Sequence, residues 1–327
     1  MPRSPDVHRH DWGRVPPIHY VRGVDSASAT QVELPTSLSP SRASDFLTCP
    51  LLFRFRSIDR LPQEPSSAAV RGTVVHAALE GLYDLPREGR TPLAAVALIE
   101  PAWHDLVERE PEVEVVVEEE GLGPWLQRAS ELVSTYFSLE DPQRLDPAAR
   151  EVLVETALDG GLTIRGYIDR LDVAPGGQVR IVDYKTGKAP SERFERKALF
   201  QMRFYALVLW RRDGVIPTQL KLLYLSDGQA LVDAPDAEAL LATERKIMAI
   251  WQAIVTSVER REFAPSPGPL CSWCDHQSLC PAFGGTPPDL PLITLVPPGS
   301  SRSSDPADIV DLTDPARAPV VLPLEEA

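Results

Sequence analysis

No apolar run in the sequence approaches the roughly 20 residues that a helix needs to cross a bilayer. No charged-then-apolar start marks a secretory signal either. Both absences lead to the expectation of a cytoplasmic protein. Also missing is G-x4-G-K-[ST], the phosphate-cradling loop of nucleotide-driven motors, so no ATP-driven motor is expected within the chain. There is no internal repeat. Positive charge is in short supply: 33 Lys and Arg stand against 47 Asp and Glu, a formal net charge of −14, which ordinarily argues against nucleic acid as a partner. The distribution weakens that objection. Glu108, Glu110, Glu112, Glu114, Glu118, Glu119 and Glu120 gather acid in one segment, while Lys188, Arg193, Arg196, Lys197, Arg203, Arg211 and Arg212 follow later. The basic stretch reads either as a local cationic surface or as the solvated face of a helix.

Proline, by contrast, is abundant. Its 33 copies are too many for a uniformly packed domain of 327 residues, and they collect toward the ends. Residues 1–37 mix Pro, Ser, Arg and His without a sustained period and read as a disordered leader. Residues 284–327, with Pro287-Pro288, Pro297-Pro298 and then Asp305, Asp308, Asp311 and Asp314, read as an acidic disordered tail. Residues 38–283 remain for one substantial core. Ser39 and Pro40 suit a helix start, and helical spacing runs through Arg71–Tyr83, Pro92–Glu110 and Pro124–Phe137. The period then changes to alternation. Strands are expected over Glu151–Leu158, Leu162–Val173, Val179–Tyr184 and Leu220–Leu225, with another at Ala230–Val232. Helices are expected over Glu192–Trp210 and Ala237–Arg261. This order predicts an α/β core in which the first three strands run antiparallel, with a helical elaboration.

The chemistry-bearing residues centre on the second and third of those strands. Gly166-Tyr167-Ile168-Asp169-Arg170 and Ile181-Val182-Asp183-Tyr184-Lys185-Thr186-Gly187 are joined by the turn-forming run Ala174-Pro175-Gly176-Gly177-Gln178, so the chain folds back and brings Asp169 and Asp183 together. A carboxylate flanked by Ile181 and Val182 is costly to bury alone, and a hard divalent cation is a natural partner. Lys185, two residues on and so on the same strand face, suits a hydrolytic site, where it would hold a metal-activated water. A surface ion pair between Asp183 and Lys185 is the competing reading. His76 lies beside an apolar helical stripe; it is either a ligand or a structural residue paired with Glu80 one turn on.

Only four cysteines occur, Cys49, Cys271, Cys274 and Cys280. Three are spaced C-x2-C-x5-C and the fourth is 222 positions upstream, with Pro50 and Pro281 beside two of them. Disulfides are not expected in a cytosolic chain. One remote and three clustered thiolates suit a four-iron four-sulfur cluster; zinc and unligated core cysteines are the alternatives. Either metal would tie the start of the domain to its end.

Taken in order, six features resemble one family. Cys49-Pro50, Arg71-Gly72-Thr73-Val74-Val75-His76, the Asp169 strand, Asp183-Tyr184-Lys185, Gln201-x3-Tyr205 and the three-cysteine cluster together resemble the PD-(D/E)xK nucleases. More narrowly they resemble the RecB-like exonuclease branch with an iron-sulfur staple, which includes AddB-type repair nucleases and CRISPR adaptation nucleases. The resemblance implies a restriction-endonuclease-like core with a mixed central sheet flanked by helices, the N- and C-terminal parts being joined by a cysteine-ligated cluster. It implies Mg2+ or Mn2+ held by His76, Asp169, Asp183 and the Tyr184 carbonyl, with Lys185 as the water-positioning base. Gln201 and Tyr205 are implied to contact the DNA strand or to orient Lys185. Glu155 either joins through a water or lies on the surface. The implied activity is DNA hydrolysis, exonucleolytic and in repair or recombination, with a helicase supplied in trans. The alternatives are a nuclease-fold protein that binds DNA without cutting it and a metal-stapled interaction protein.

Overall fold

The computed structural model describes residues 31–297. Its elements are β1 (Gln31–Pro35), β2 (Ser37–Leu38), α1 (Pro40–Thr48), α2 (Pro50–Phe53), α3 (Ser67–Leu82), α4 (Pro92–Ala97), α5 (Ile99–Arg109) and α6 (Leu122–Leu139). They continue with β3 (Ala149–Ala157), β4 (Thr163–Val173), β5 (Val179–Lys185), α7 (Glu192–Asp213), β6 (Gln219–Tyr224), β7 (Gln229–Asp233), α8 (Ala237–Arg260) and β8 (Leu292–Val296). Local chemistry sets many of these limits. The hydroxyls of Ser39 and Ser66 and the carboxylate of Asp236 accept from backbone N–H groups in the first turns of α1, α3 and α8. Gly214, left-handed at φ 72°, ends α7. The helix expected over Pro92–Glu110 divides at Leu98 into α4 and α5.

The main sheet has the order β2-β4-β5-β6-β7, with β3 on the other edge of β4. β3, β4 and β5 are successively antiparallel, as the order of elements predicted, whereas β5 and β6 are parallel, with α7 as the crossover. The sheet is therefore mixed and flanked by helices. Period-two alternation sends Ile181, Leu220 and Leu222 into a core beneath α1, α7 and α8, and sends Val182, Tyr184 and Leu223 into a second core beneath α3, α5 and α6. β5 is buried over its whole length except at Lys185. A carboxylate on it thus sits in the centre of the molecule. No helix among the described residues is long and apolar enough to cross a membrane.

Both margins correct the expected boundaries. Residues 31–35 and 292–296 pair in parallel, from Gln31↔Leu292 to Pro35↔Val296, instead of lying in a disordered leader and tail. The cause is apolar alternation within polar surroundings: Leu34 is buried, and Val32, Ile293 and Leu295 pack against the α7–α8 core. Arg54 and Arg261 donate to the carbonyls of Pro288, Leu290 and Pro291 and hold the segment leading into β8. The remainder of the expected leader and tail, residues 1–30 and 298–327, lies outside the described residues.

Candidate metal centre

β4 and β5 are laddered only from Arg170↔Val182 to Val173↔Val179. Asp169 and Asp183 stand where the two strands part. The Tyr184 N–H donates to Asp169 Oδ2 at 2.7 Å, tying the strands together through that carboxylate. α3 brings His76 over the same point. Its Nε2 lies 3.0 Å from the Tyr184 carbonyl oxygen, and its Nδ1 lies 3.5 Å from both Asp169 Oδ2 and Glu151 Oε1.

Glu151 is the residue that sequence reasoning missed. It lies on β3 opposite Asp169, at a point where the ladder skips from Arg150↔Arg170 to Val152↔Ile168, and its φ of 44° is left-handed. A bulky residue there is strained by about 1–3 kcal/mol. That backbone turn aims its carboxylate at His76. Glu155, four residues on, stays on the regular strand, is half-exposed and faces Arg165 across the sheet at 3.7 Å. Of its two readings the structure therefore takes the surface one.

His76, Glu151 and Asp169 each offer a ligand atom, and these atoms lie within 4.8 Å of one another. Burial opposes charge on His76, but the hydrogen bond to Glu151 and the charges of Asp169, Glu151 and Asp183 prevail, lifting the imidazole to about 9. Burial, then the Asp183 charge, pushes the Asp169 carboxyl up to about 7. Crowded carboxylates that capture protons in this way are a donor set short of positive charge.

Asp183, 1% exposed, faces α7. Its Oδ1 accepts from Gln201 Nε2 at 2.8 Å. Lys185 Nζ lies 2.6 Å from Asp183 Oδ2, but at an angle too poor for a hydrogen bond, so that buried oxygen has no hydrogen-bond donor. Lys185 instead donates to Gln201 Oε1 at 3.0 Å, and Gln201 Nε2 also reaches the Tyr205 hydroxyl at 3.0 Å. Gln201 and Tyr205 are one turn apart on α7, as their spacing implied. Burial raises the Tyr205 hydroxyl above its ordinary range, and the nearby Asp183 charge adds to the effect, so Tyr205 remains a neutral donor.

Behind the sheet, Arg170 is fully buried. It donates to Asp172, to Glu140 and to the hydroxyls of Tyr83, Tyr136 and Tyr184. This network fixes Tyr184, whose backbone N–H and carbonyl face the centre.

All four cysteines line one cavity of about 550 Å3 between the end of α1 and the loop of residues 265–283. Cys49 Sγ accepts from the Ser266 N–H and Cys271 Sγ from the Gly268 N–H, both at 3.3 Å. Among the described residues no three of the sulfurs lie within 4.8 Å of one another. Sulfurs around one zinc ion stand about 3.8 Å apart.

Comparison with known proteins places these features in a family. The chain is similar to the Gene 69 protein of Mycobacterium phage D29, with 25% identity over 279 residues, 78% of this chain and 99% of that protein. It is also similar to the Gene 69 protein of Mycobacterium phage L5, with 28% identity over 126 residues, 38% of this chain and 41% of that protein. A solved structure of a proposed exonuclease from Eubacterium rectale aligns with a TM-score of 0.49 at 13% identity, covering 74% of this chain and 88% of that one. The family model described as "PD-(D/E)XK nuclease superfamily" matches residues 37–281, from the start of β2 to one residue past Cys280. With that match spanning the sheet, α7 and the whole cysteine set, the chain belongs to the PD-(D/E)XK nuclease superfamily.

Proposed function

We propose that the protein is a divalent-metal-dependent deoxyribonuclease that hydrolyses phosphodiester bonds, more narrowly an exonuclease of the RecB-like branch acting in repair or recombination. The observation that carries the reading is the convergence of His76, Glu151 and Asp169 beside the hydrogen-bonded set Asp183, Gln201 and Lys185. Mg2+ or Mn2+ would be held by His76, Asp169, Asp183 and the Tyr184 carbonyl, with Glu151 added to the set expected from the sequence. Bound there, such an ion would neutralise the scissile phosphate and acidify a bound water.

The protein groups then have separable tasks. Asp183 and Gln201 hold the Lys185 ammonium in place. From there Lys185 Nζ orients the attacking water. Tyr205, kept neutral, accepts from the Gln201 amide through its hydroxyl oxygen, which leaves the hydroxyl proton to donate to the strand being cut. His76 gives up its proton when it takes up a ligand role, so activity falls in acid.

The four cysteines suit a four-iron four-sulfur cluster. Their gathering around one cavity supports a shared metal centre, and the N–H donors to Cys49 and Cys271 are of the kind that tune such clusters. Its task would be to join α1 to the loop after α8. Because no G-x4-G-K-[ST] loop occurs, any helicase would act as a partner in trans.

The test is incubation of linear and covalently closed circular DNA with the protein in Mg2+, in Mn2+ and in EDTA. Loss of the linear form alone, and only with metal, supports the exonuclease; nicking of the circle replaces it with an endonuclease. Binding without cleavage in either metal leaves the non-cutting alternative.

A further inference from the structure

A cavity of about 1210 Å3 opens beside the metal centre, with Gln201 and Tyr205 in its wall. That exceeds the roughly 300–1,000 Å3 of a site for one small molecule. Strand β4 contributes Arg165, Gly166 and Tyr167. On this side the ladder with β2 stops at Ile164 and the ladder with β5 begins at Arg170, so residues 165–169 have no strand neighbour there. Gly166 lets α7 approach closely: a Cβ on it would lie 2.5 Å from the Tyr205 ring.

In a chain of net charge −14, the described lining residues include Arg42, Arg165, Lys188, Arg196, Lys197 and Lys246, and no carboxylate. Arg165 has only the exposed Glu155 at 3.7 Å, and Lys246 rests 4.3 Å above the Phe200 ring. Lys188 and Arg196 make no ion pair among the described residues. Cations concentrated in one groove create a strong local potential for a polyanion.

Within this cationic groove stands Tyr167. It is 56% exposed, beside Leu153 across the strand pair, and its hydroxyl has no hydrogen-bond partner among the described residues. A duplex presents phosphates and groove edges but hides its base faces in the stack, so an exposed ring between cations matches unstacked bases instead. We propose that Tyr167 is a stacking platform for a base of a single DNA strand whose phosphates follow Arg165, Lys188 and Arg196 toward the metal centre. This deepens the nuclease reading, on which it rests for the direction in which the strand runs.

The experiment is fluorescence anisotropy of the full chain, in EDTA, with a labelled single-stranded oligonucleotide and with its duplex. The single strand binds more tightly. Tyr167→Ala weakens single-strand binding by about tenfold, Tyr167→Phe restores it, and the duplex is insensitive to both. Replacing Lys188 and Arg196 together by Glu flattens the dependence of log affinity on log salt, by about 0.7 for each phosphate left without its cation. Equal loss with Tyr167→Phe, no loss with Tyr167→Ala, or duplex binding as tight as that of the single strand overturns the proposal. Cleavage in Mn2+ is scored separately. The stated binding pattern without cleavage refutes the nuclease and leaves the stacking platform standing; cleavage without the pattern does the reverse.

Discussion

Gln201 reaches from α7 to within 2.8 Å of Asp183 Oδ1, and its other amide atom accepts from Lys185 Nζ at 3.0 Å. One side chain therefore fixes both a buried carboxylate and the ammonium beside it. Gln201→Ala leaves both charged groups present but unaligned. The expected result is a fall in the single-turnover cleavage rate of about 10–100-fold, with DNA binding little changed. An equal loss in binding and rate would instead make Gln201 a substrate contact.

Glu151 combines a ligand atom with a strained backbone, and the two are separable by substitution. Glu151→Gly relieves the left-handed φ of 44° and removes the carboxylate. Unfolding stability in EDTA should hold or rise by about 1 kcal/mol, while Mn2+ affinity measured by calorimetry falls at least tenfold. Glu151→Gln should lose affinity without the gain in stability.

The buried network behind the sheet sets acid stability. Burial works against charge on Glu140, but Arg170, Lys221 and Arg180 pull its carboxyl down to about 2. The folded state therefore binds this proton more weakly than the unfolded state, from an ordinary value of 4.5. The resulting stability, of order 3 kcal/mol, is fully present above pH 4.5 and is lost as pH falls through about 2. Chemical denaturation from pH 6 to pH 2 should show a shallower decline for Glu140→Gln. Arg170→Leu strands Asp172 and Glu140 and should cost about 3–5 kcal/mol at neutral pH.

The cysteine cavity predicts a metal content. Anaerobically purified protein should contain iron and absorb in the visible range, and Cys49→Ala should lose both and melt at lower temperature, because Cys49, just after α1, is the one cysteine on the far side of the cavity from residues 265–283. Zinc at one equivalent without iron would replace the cluster, and neither metal would remove it.

Much of the site was legible because its residues sit at fixed steps on regular elements. Asp183 and Lys185 are two apart on β5, and Gln201 and Tyr205 are four apart on α7. Asp169 is placed opposite β5 by the turn at residues 174–178. Glu151 was not legible. It and Glu155 are four apart on one strand, so alternation gives them the same face, and only the reversal of φ at Glu151 separates them. No residue type announces that reversal. The β1–β8 pair failed for a different reason: Val32 and Leu34, Ile293 and Leu295 do alternate, but five-residue strands are swamped by the proline-rich composition around them.

The proposed hydrolysis uses a divalent ion at His76, Glu151, Asp169 and Asp183, with Lys185 placing the water. It is tested most directly by the initial rate of DNA cleavage against Mn2+ concentration for the wild type, Asp183→Asn and Lys185→Ala. Saturable metal dependence is expected in the wild type and a loss of at least 100-fold in both variants, with folding preserved by circular dichroism. Cleavage that persists in EDTA, or at wild-type rate in either variant, would contradict it.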